Sequence, residues 1–559
     1  MTTSFWTSTL QLTVHLALLL LGYWILDCLL AREHLSRWLK LLLIRSVQLT
    51  SFALLGLGLA LYPVWTWSTA PLELRALTAF IGAFLAWNAA TRDLCPVENS
   101  PKWEARLLLP LAAVGAYFSP AFALLSLSLL SLVFHFWSHH ASFPMRALMA
   151  LVSYACWVPL SNLHPTLLWA TPSAGSLIIL LIVMQASHYL IAGLGKARLG
   201  ERWYSWMFDN HLHLLATSAY SWGWSRFLPF GFVRPIVLCL QRVERPLQVA
   251  AFSLELFAPL ALLDFRVALA FSLSFCLFHG GVFLISGLLF WDWVLTNLAL
   301  AATIYALPST HVSFGGGALL VGSLLLVLFP LRHKLWRPMP LAWFDSPLTS
   351  RLRWEAEGQS GKIYEIYNNF MCPYERLYGR VHGYFLSPKP LLTYHLGEVF
   401  RPEIQKALLG AGPDSDAIDK LRDRFGISPP QDPFTERHTL FLQAFFATIN
   451  GGFRKRVLPR ALGWLKAPGD QIYYFGELPA FEGQEPVCVV HLRFVEDYFD
   501  GTDLKRLSDQ VVLCVPIPKI PPLGALPEPS PQLLDTTLLT HANGRLILLP
   551  PNFSLLEAG

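Results

Sequence analysis

The sequence predicts a polytopic α-helical membrane bundle of about nine or ten helices over residues 1–337, then a soluble α+β domain over residues 338–559. Three observations predict it. Of the 559 residues, 54% are hydrophobic and only 14% charged, where soluble domains carry about 25% charge. Apolar runs near the roughly 20 residues that cross a bilayer recur from Leu10 to Leu331. From Pro338 the composition becomes that of a soluble chain, long enough for its own core.

Taken in order, the expected spans are Leu10–Leu30, Leu41–Trp65 and Ala76–Ala90. Leu107–Trp137 is too long for one span and holds Pro110 and Pro120, so it reads as two helices or one broken helix. Met145–Leu160 is short, and Ser176–Gly195 is clear. Val249–Leu263, Val267–Leu289, Trp291–Leu307 and Gly317–Leu331 complete the set. The first thirty residues lack a basic leading region and a small-residue cleavage site, so the first span reads as retained. Between Lys196 and Pro246 the chain is too polar to span and rich in Trp, His and Arg, which suits the headgroup level.

In the soluble domain, Arg401–Phe425 reads as helical with a break at Gly410–Pro413. Gln471–Phe475, Val487–Val495 and Gln510–Ile517 read as strands, Val487–Val495 as a central one. Pro516–Pro531 reads as an extended segment, and Asn543-Gly544 fits a hairpin turn.

The net charge of +5 is small for this length, and the positive residues fall in short loops. They act as topology signals rather than a nucleic-acid footprint. Arg32, Arg37, Lys40 and Arg45, and later Arg332, Lys334 and Arg337, place the C-terminal domain inside and the N-terminus outside. A multi-pass membrane protein surrounded by membrane lipids is expected, in the inner membrane if the source is bacterial. The eight cysteines form no CxxC or other ligand spacing. Phe453-Arg454-Lys455-Arg456 is a basic patch that reads as a solvated face, with anionic lipid contact as the alternative. No GxSxG, HExxH, phosphate-loop or dinucleotide pattern is present.

Ionisable groups at membrane depth are costly, so they single out candidate residues. Lys196 closes the run from Ser176, and His188 lies eight residues before it. Together they suggest proton chemistry; the plainer reading is a lysine that snorkels to the interface. His279 lies mid-span in Phe278-His279-Gly280-Gly281, where the glycines would let a helix or ligand approach. The plainer reading is a histidine bonded to a neighbouring helix. Glu255 needs a partner, with Lys196 and His279 as candidates; its plainer role is an interhelical ion pair. His135 and His139 have the i, i+4 spacing of a ligand pair, with His140 beside them. No acidic residue accompanies them, so an interfacial or catalytic cluster is preferred to a metal site. His211 and His213, at i, i+2, would point apart on a helix and read as no ligand pair.

The segment Tyr189-Leu-Ile-Ala-Gly-Leu-Gly-Lys196 resembles the one that holds the catalytic lysine of vitamin K-dependent gamma-carboxylases. A Trp-rich segment, Leu254-Glu255-Leu256 and Phe278-His279 follow in the family's order, so the chain resembles the wider HTTM superfamily over about residues 176–300. The resemblance implies a lysine that deprotonates a reduced quinone, of the vitamin K or menaquinone type. The anion reacts with O2, and the strong base so formed removes a glutamate γ-proton before CO2 adds. On that pattern Lys196 is the base and needs an apolar pocket to stay neutral. His279 supports the oxyanion or quinone, Glu255 and His140 are further catalytic candidates, and His188 and Gly280 lie beside the cofactor. The substrate would be a protein or peptide. Two departures stand out: Gly280-Gly281-Val282 replaces the family's polar Asn-Ser-Gln, and residues 338–559 do not resemble the carboxylase's substrate-binding part. The alternative is a non-enzymatic membrane protein, a transporter or lipid-binding scaffold with a partner-binding cytoplasmic domain.

Overall fold

The computed structural model describes residues 2–31, 51, 55–60, 65, 67, 70–94, 102–134, 142–163, 171–307, 314–328, 335–336, 338–366, 370–371, 386–427, 434–468, 476–519, 538–542 and 545–549. Among these residues four helices are long and apolar enough to cross a membrane: Phe5–Leu30, Leu72–Thr91, Ala174–Leu199 and Phe265–Ser286. Pro120–Ser131, Phe143–Val158 and Gly316–Leu328 are shorter apolar helices.

Among the described residues the helices with both ends given begin with α1 (Thr2–Ala31), α2 (Leu72–Thr91), α3 (Trp103–Gly115), α4 (Pro120–Ser128), α5 (Phe143–Leu163) and α6 (Ala174–Leu199). The long run predicted to break does so between α3 and α4. Ser119 is extended there and its side chain caps the Ala121 N–H, with Pro120 in the first turn where its missing N–H costs nothing. A π-helical turn, Leu129–Val133, continues α4. The expected span Leu41–Trp65 lies largely outside the described residues, as do the basic residues used for orientation.

Ser173 caps α6 by accepting from the Ser176 N–H at 3.2 Å. In α6, 89% of the apolar window is buried within the protein, against 22–50% for the other three membrane-length helices. Of the four, α6 is therefore the one most enclosed by the rest of the protein.

After α6 come α7 (Ser205–Asp209), α8 (Leu212–Ser221) and α9 (Phe230–Leu256). The expected span Val249–Leu263 does not form as one helix: α9 starts much earlier and stops at Leu256, before a 3-10 turn over Ala258–Leu262. The reason lies in its pattern. Val233, Val237, Glu244, Gln248, Phe252 and Glu255 form one buried stripe. The other face exposes Phe232, Ile236 and Leu247 together with Arg234, Arg242 and Arg245. Such a mixed apolar and basic face suits the membrane interface better than the bilayer centre.

Next are α10 (Phe265–Ser286), α11 (Trp291–Ala306) and α12 (Gly316–Leu328). Asp264 caps α10, and Gly287 ends it at φ +72°, a left-handed conformation that glycine adopts without cost.

The C-terminal region is α+β. Strands β1 (Phe344–Asp345), β2 (Leu348–Gly358), β3 (Ile363–Glu365), β4 (Glu398–Val399), β5 (Val487–Phe499) and β6 (Leu504–Pro516) form a β1-β4 pair and an antiparallel sheet of order β3-β2-β5-β6. The expected central strand is β5, flanked by β2 and β6. Helices α13 (Pro402–Ala411) and α14 (Ser415–Phe425) are separated by Gly412 at φ +66°, within the predicted break. Helix α15 (Phe434–Asn450) packs Phe441, Leu442, Phe445 and Phe446 against Trp354, Val490, Leu492 and Val515. A hairpin pairs β7 (Leu538–Ala542) with β8 (Arg545–Leu549), Ala542 opposite Arg545, although Asn543 and Gly544 lie outside the described residues. Gln471–Phe475 also lies outside them.

The two regions meet in an apolar cluster. Trp206, Met207 and Phe252 from the segment after α6 pack with Phe344, Leu348, Val399 and Tyr498.

Candidate functional site

The site is built on one face of α6. Gln185, Tyr189 and Lys196 are spaced by four and seven residues, which brings them to one side of a 3.6-residue helix. Two glycines between them set what can approach. A Cβ at Gly193 would lie 3.0 Å from the Leu256 backbone nitrogen and 3.2 Å from the Glu255 carbonyl carbon. One at Gly195 would lie 3.1 Å from Ala342 Cβ. The two glycines of Ala-Gly-Leu-Gly-Lys thus let the end of α9 and the segment Pro340–Ala342 close onto α6. Gly193→Leu is expected to force α6 and α9 apart and lower stability by about 1–3 kcal/mol, as overpacking does. Thermal unfolding in detergent checks this; an unchanged midpoint would show that the close approach carries no weight.

That approach delivers Glu255 to Lys196. Lys196 Nζ donates to Glu255 Oε1 at 2.8 Å and Oε2 at 2.7 Å, and to the Leu341 carbonyl at 3.1 Å. Trp206 covers it, its ring centroid 5.1 Å from Nζ, while its indole N–H is held by the Trp343 carbonyl at 2.8 Å. Lys196 and Glu255 are both buried. Of the two partners considered for Glu255, Lys196 is the one in contact. The pocket is therefore not simply apolar, as the resemblance implied, because a carboxylate faces the amine.

His279 belongs to a second cluster, further into α6. Gln185 Nε2 donates to Asn297 Oδ1 at 2.8 Å, and Asn297 Nδ2 donates to the Tyr189 hydroxyl at 3.0 Å. The Tyr189 hydroxyl lies 2.8 Å from His279 Nε2. Each bond fixes the next. With Asn297 donating to it, the Tyr189 hydroxyl turns its own proton to His279 Nε2. His279 then carries its hydrogen on Nδ1, and that buried nitrogen has no hydrogen-bond partner among the described residues. Tyr189 is stacked on Phe275 at 3.5 Å between centroids, which fixes its ring plane.

His188 has a similar orphan. Its Nε2 is buried without a partner among the described residues. The Trp293 ring stands between the two histidines, 5.0 Å from His188 and 5.7 Å from His279 by centroid. Gly280 is exposed and Gly281 half-buried, and a Cβ at either would meet nothing within 4 Å. Among the described residues no helix closes on these glycines, and they face away from buried His279. His140, with His135 and His139, lies outside the described residues.

His211 and His213 do not diverge as their spacing predicted. His211 is the residue before α8, at φ −126° and ψ 79°, so the helical angle between i and i+2 does not apply. Both rings turn to Glu244: His213 Nδ1 is 2.7 Å and His211 Nδ1 3.5 Å from its carboxylate oxygens.

Several participants escaped the sequence reading. Tyr189 was noted only as part of a segment, and Gln185 shares its face at i, i−4, a spacing that was there to find. Asn297, Trp206 and the Leu341 carbonyl come from distant segments and carry no local signal.

Comparison with protein families, with curated proteins and with solved structures found no match to this chain.

Proposed function

We propose that this chain is a quinone-dependent, carboxylase-like membrane enzyme of the HTTM superfamily, a bundle of about nine or ten passes, with Lys196 as its base. The observation that supports this most is the burial of the Lys196 amine against Glu255, on the helix face that also carries Tyr189. A lysine acts as a base only when neutral. An apolar pocket achieves this by desolvation alone, whereas here Glu255 offers the Nζ proton a carboxylate 2.7 Å away. Transfer of that proton to Glu255 would leave a neutral amine beside a neutral acid, the form in which Lys196 acts as a base. The free amine then accepts a new proton, and the Leu341 carbonyl and Trp206 keep it oriented.

Two buried atoms support a quinone as the cofactor. His279 Nδ1–H and His188 Nε2 are orphaned polar atoms in an aromatic setting, and a quinone head has two oxygens to engage them. When bound, a reduced quinone would supply a hydroxyl proton and reducing equivalents for oxygen chemistry. Gln185, Asn297 and Tyr189 hold His279 in the tautomer that donates from Nδ1. A protein or peptide glutamate is the substrate in this reading.

The second reading, a non-enzymatic transporter or lipid-binding scaffold, draws on the completeness of the Lys196 contacts, since three donor contacts are met within the protein. One experiment separates the two. The protein is purified with native lipids and extracted quinone is measured by mass spectrometry; reduced quinone, O2, labelled CO2 and a glutamate peptide are then supplied. Wild type is expected to retain quinone and fix label, Lys196→Ala to retain quinone but lose about 10²-fold or more in rate, and His279→Ala to lose quinone. Quinone and label absent from wild type, with cellular function intact in Lys196→Ala, would overturn the enzyme reading.

A further inference from the structure

The geometry points to a second centre, a divalent metal site formed by His211, His213 and Glu244, on segments separate from the Lys196 pair. We propose that it binds zinc. One potential ligand atom from each residue lies within 4.8 Å of the other two. Around a tetrahedral zinc with bonds of about 2.0 Å, ligand atoms sit about 3.3 Å apart. His213 Nδ1 lies 2.7 Å from Glu244 Oε2 and His211 Nδ1 3.5 Å from Glu244 Oε1, so each imidazole faces one oxygen of the same carboxylate. Two imidazoles and one carboxylate are a donor set that zinc takes, with the fourth position left for water.

The surroundings hold these ligands in place. His213 and Glu244 are buried, whereas the His211 side chain is about one-third exposed, which leaves a route for the ion and its water. Glu244 also accepts from the His213 backbone N–H at 3.1 Å, fixing the carboxylate at the start of α8. The turn before α8 is pinned through Asn210, whose side chain donates to Asp345 Oδ2 at 2.8 Å and accepts from the Asp345 N–H at 2.7 Å. That clamp holds the extended Asn210 and so the non-helical entry of His211 into α8. Supports of this kind orient metal ligands from outside the coordination sphere.

The simpler account of the same contacts is a carboxylate hydrogen-bonded to two histidines, and metal content decides between them. The full chain, purified in detergent and stripped with chelator, is titrated with Zn²⁺ by calorimetry and assayed by elemental mass spectrometry. Wild type is expected to take up about one zinc per chain and to melt at a higher temperature when loaded, as any ligand selective for the folded state requires. Co²⁺ in its place should show the visible bands of a tetrahedral site. His211→Ala and Glu244→Gln should each weaken binding beyond the about 10–100-fold that losing an outer-shell partner costs. His211 is partly exposed, so its variant keeps the test decisive even if Glu244→Gln fails to fold. Stripped wild type that takes up no zinc, or a His211→Ala protein that binds as tightly as wild type, would overturn the proposal. Neither readout depends on quinone or on Lys196.

Discussion

Glu255→Gln is expected to destabilise the protein by about 3–5 kcal/mol, the usual consequence of removing one partner from a buried ion pair. The amide leaves an ammonium at Lys196 with no counter-charge, buried between Trp206 and the Leu341 carbonyl. Lys196→Met should cost a comparable amount by leaving Glu255 unpaired. The double variant Lys196→Met, Glu255→Leu should recover most of the loss, because replacing both members of such a pair with packed apolar groups is often neutral or better. Unfolding of the three variants in detergent measures this, and the double variant also separates stability from chemistry: it should fold and have no turnover. If each single variant cost under about 1 kcal/mol, the pair would not be held as tightly as its geometry requires.

Asp345 should make stability depend on pH in the direction opposite to that of most carboxylates. It sits in β1 directly across from Glu398 of β4. Burial pushes Asp345 up from 3.8 to about 7, outweighing its hydrogen bonds from Asn210 and Trp343, with Glu244 raising it further. Burial likewise raises Glu398 well above the ordinary range, and Asp345 adds to that. Between about pH 4 and pH 7 the folded state therefore binds more protons at Asp345 than the unfolded chain does. Stability from this group is then highest at the acid end, falls as pH rises through that window and levels off above about pH 7. The fall is on the order of 4 kcal/mol, at 1.36 kcal/mol for each pH unit between the two values. Asp345→Asn removes the titration. The difference between wild-type and Asp345→Asn unfolding, measured from pH 4 to pH 8, reports this group together with its effect on Glu398. A difference that did not change with pH would contradict the assignment.

Much of the framework is legible in composition and periodicity. The capped start of α6, the break at Ser119-Pro120, the central position of β5 and the Gly412 interruption all follow from local signals. What escaped depends on contacts between distant segments. An apolar count over Val249–Leu263 takes no account of the buried stripe that begins at Val233, so it misplaced the end of α9. The i, i+2 rule misplaced His211 because it assumes a helix where the residue is non-helical, next to an Asn210–Asp345 contact between residues 135 apart. The candidate site is intermediate. Lys196, Glu255 and His279 stand out as polar groups in apolar runs, and Lys196 and Glu255 meet. The network that sets the His279 tautomer runs through Asn297, an ordinary polar residue until its fold neighbours are known.

The position of Lys196 near the end of α6 has a consequence for biogenesis. Glu255 lies 59 residues further along the chain. When α6 first enters the bilayer, its counter-ion has not been delivered. Three residues before the end of a 26-residue helix, the lysine stem would reach the headgroup layer if that helix spans, keeping its charge hydrated. A lysine placed near the middle of α6 would instead face the about 2.5–3.5 kcal/mol insertion cost of a charge at the bilayer centre. On this order of synthesis Lys196 would pair only once the later-made α9 brings Glu255 up to Gly193. A nascent chain halted before Glu255 should hold α6 across the membrane with Lys196 open to water-borne amine reagents.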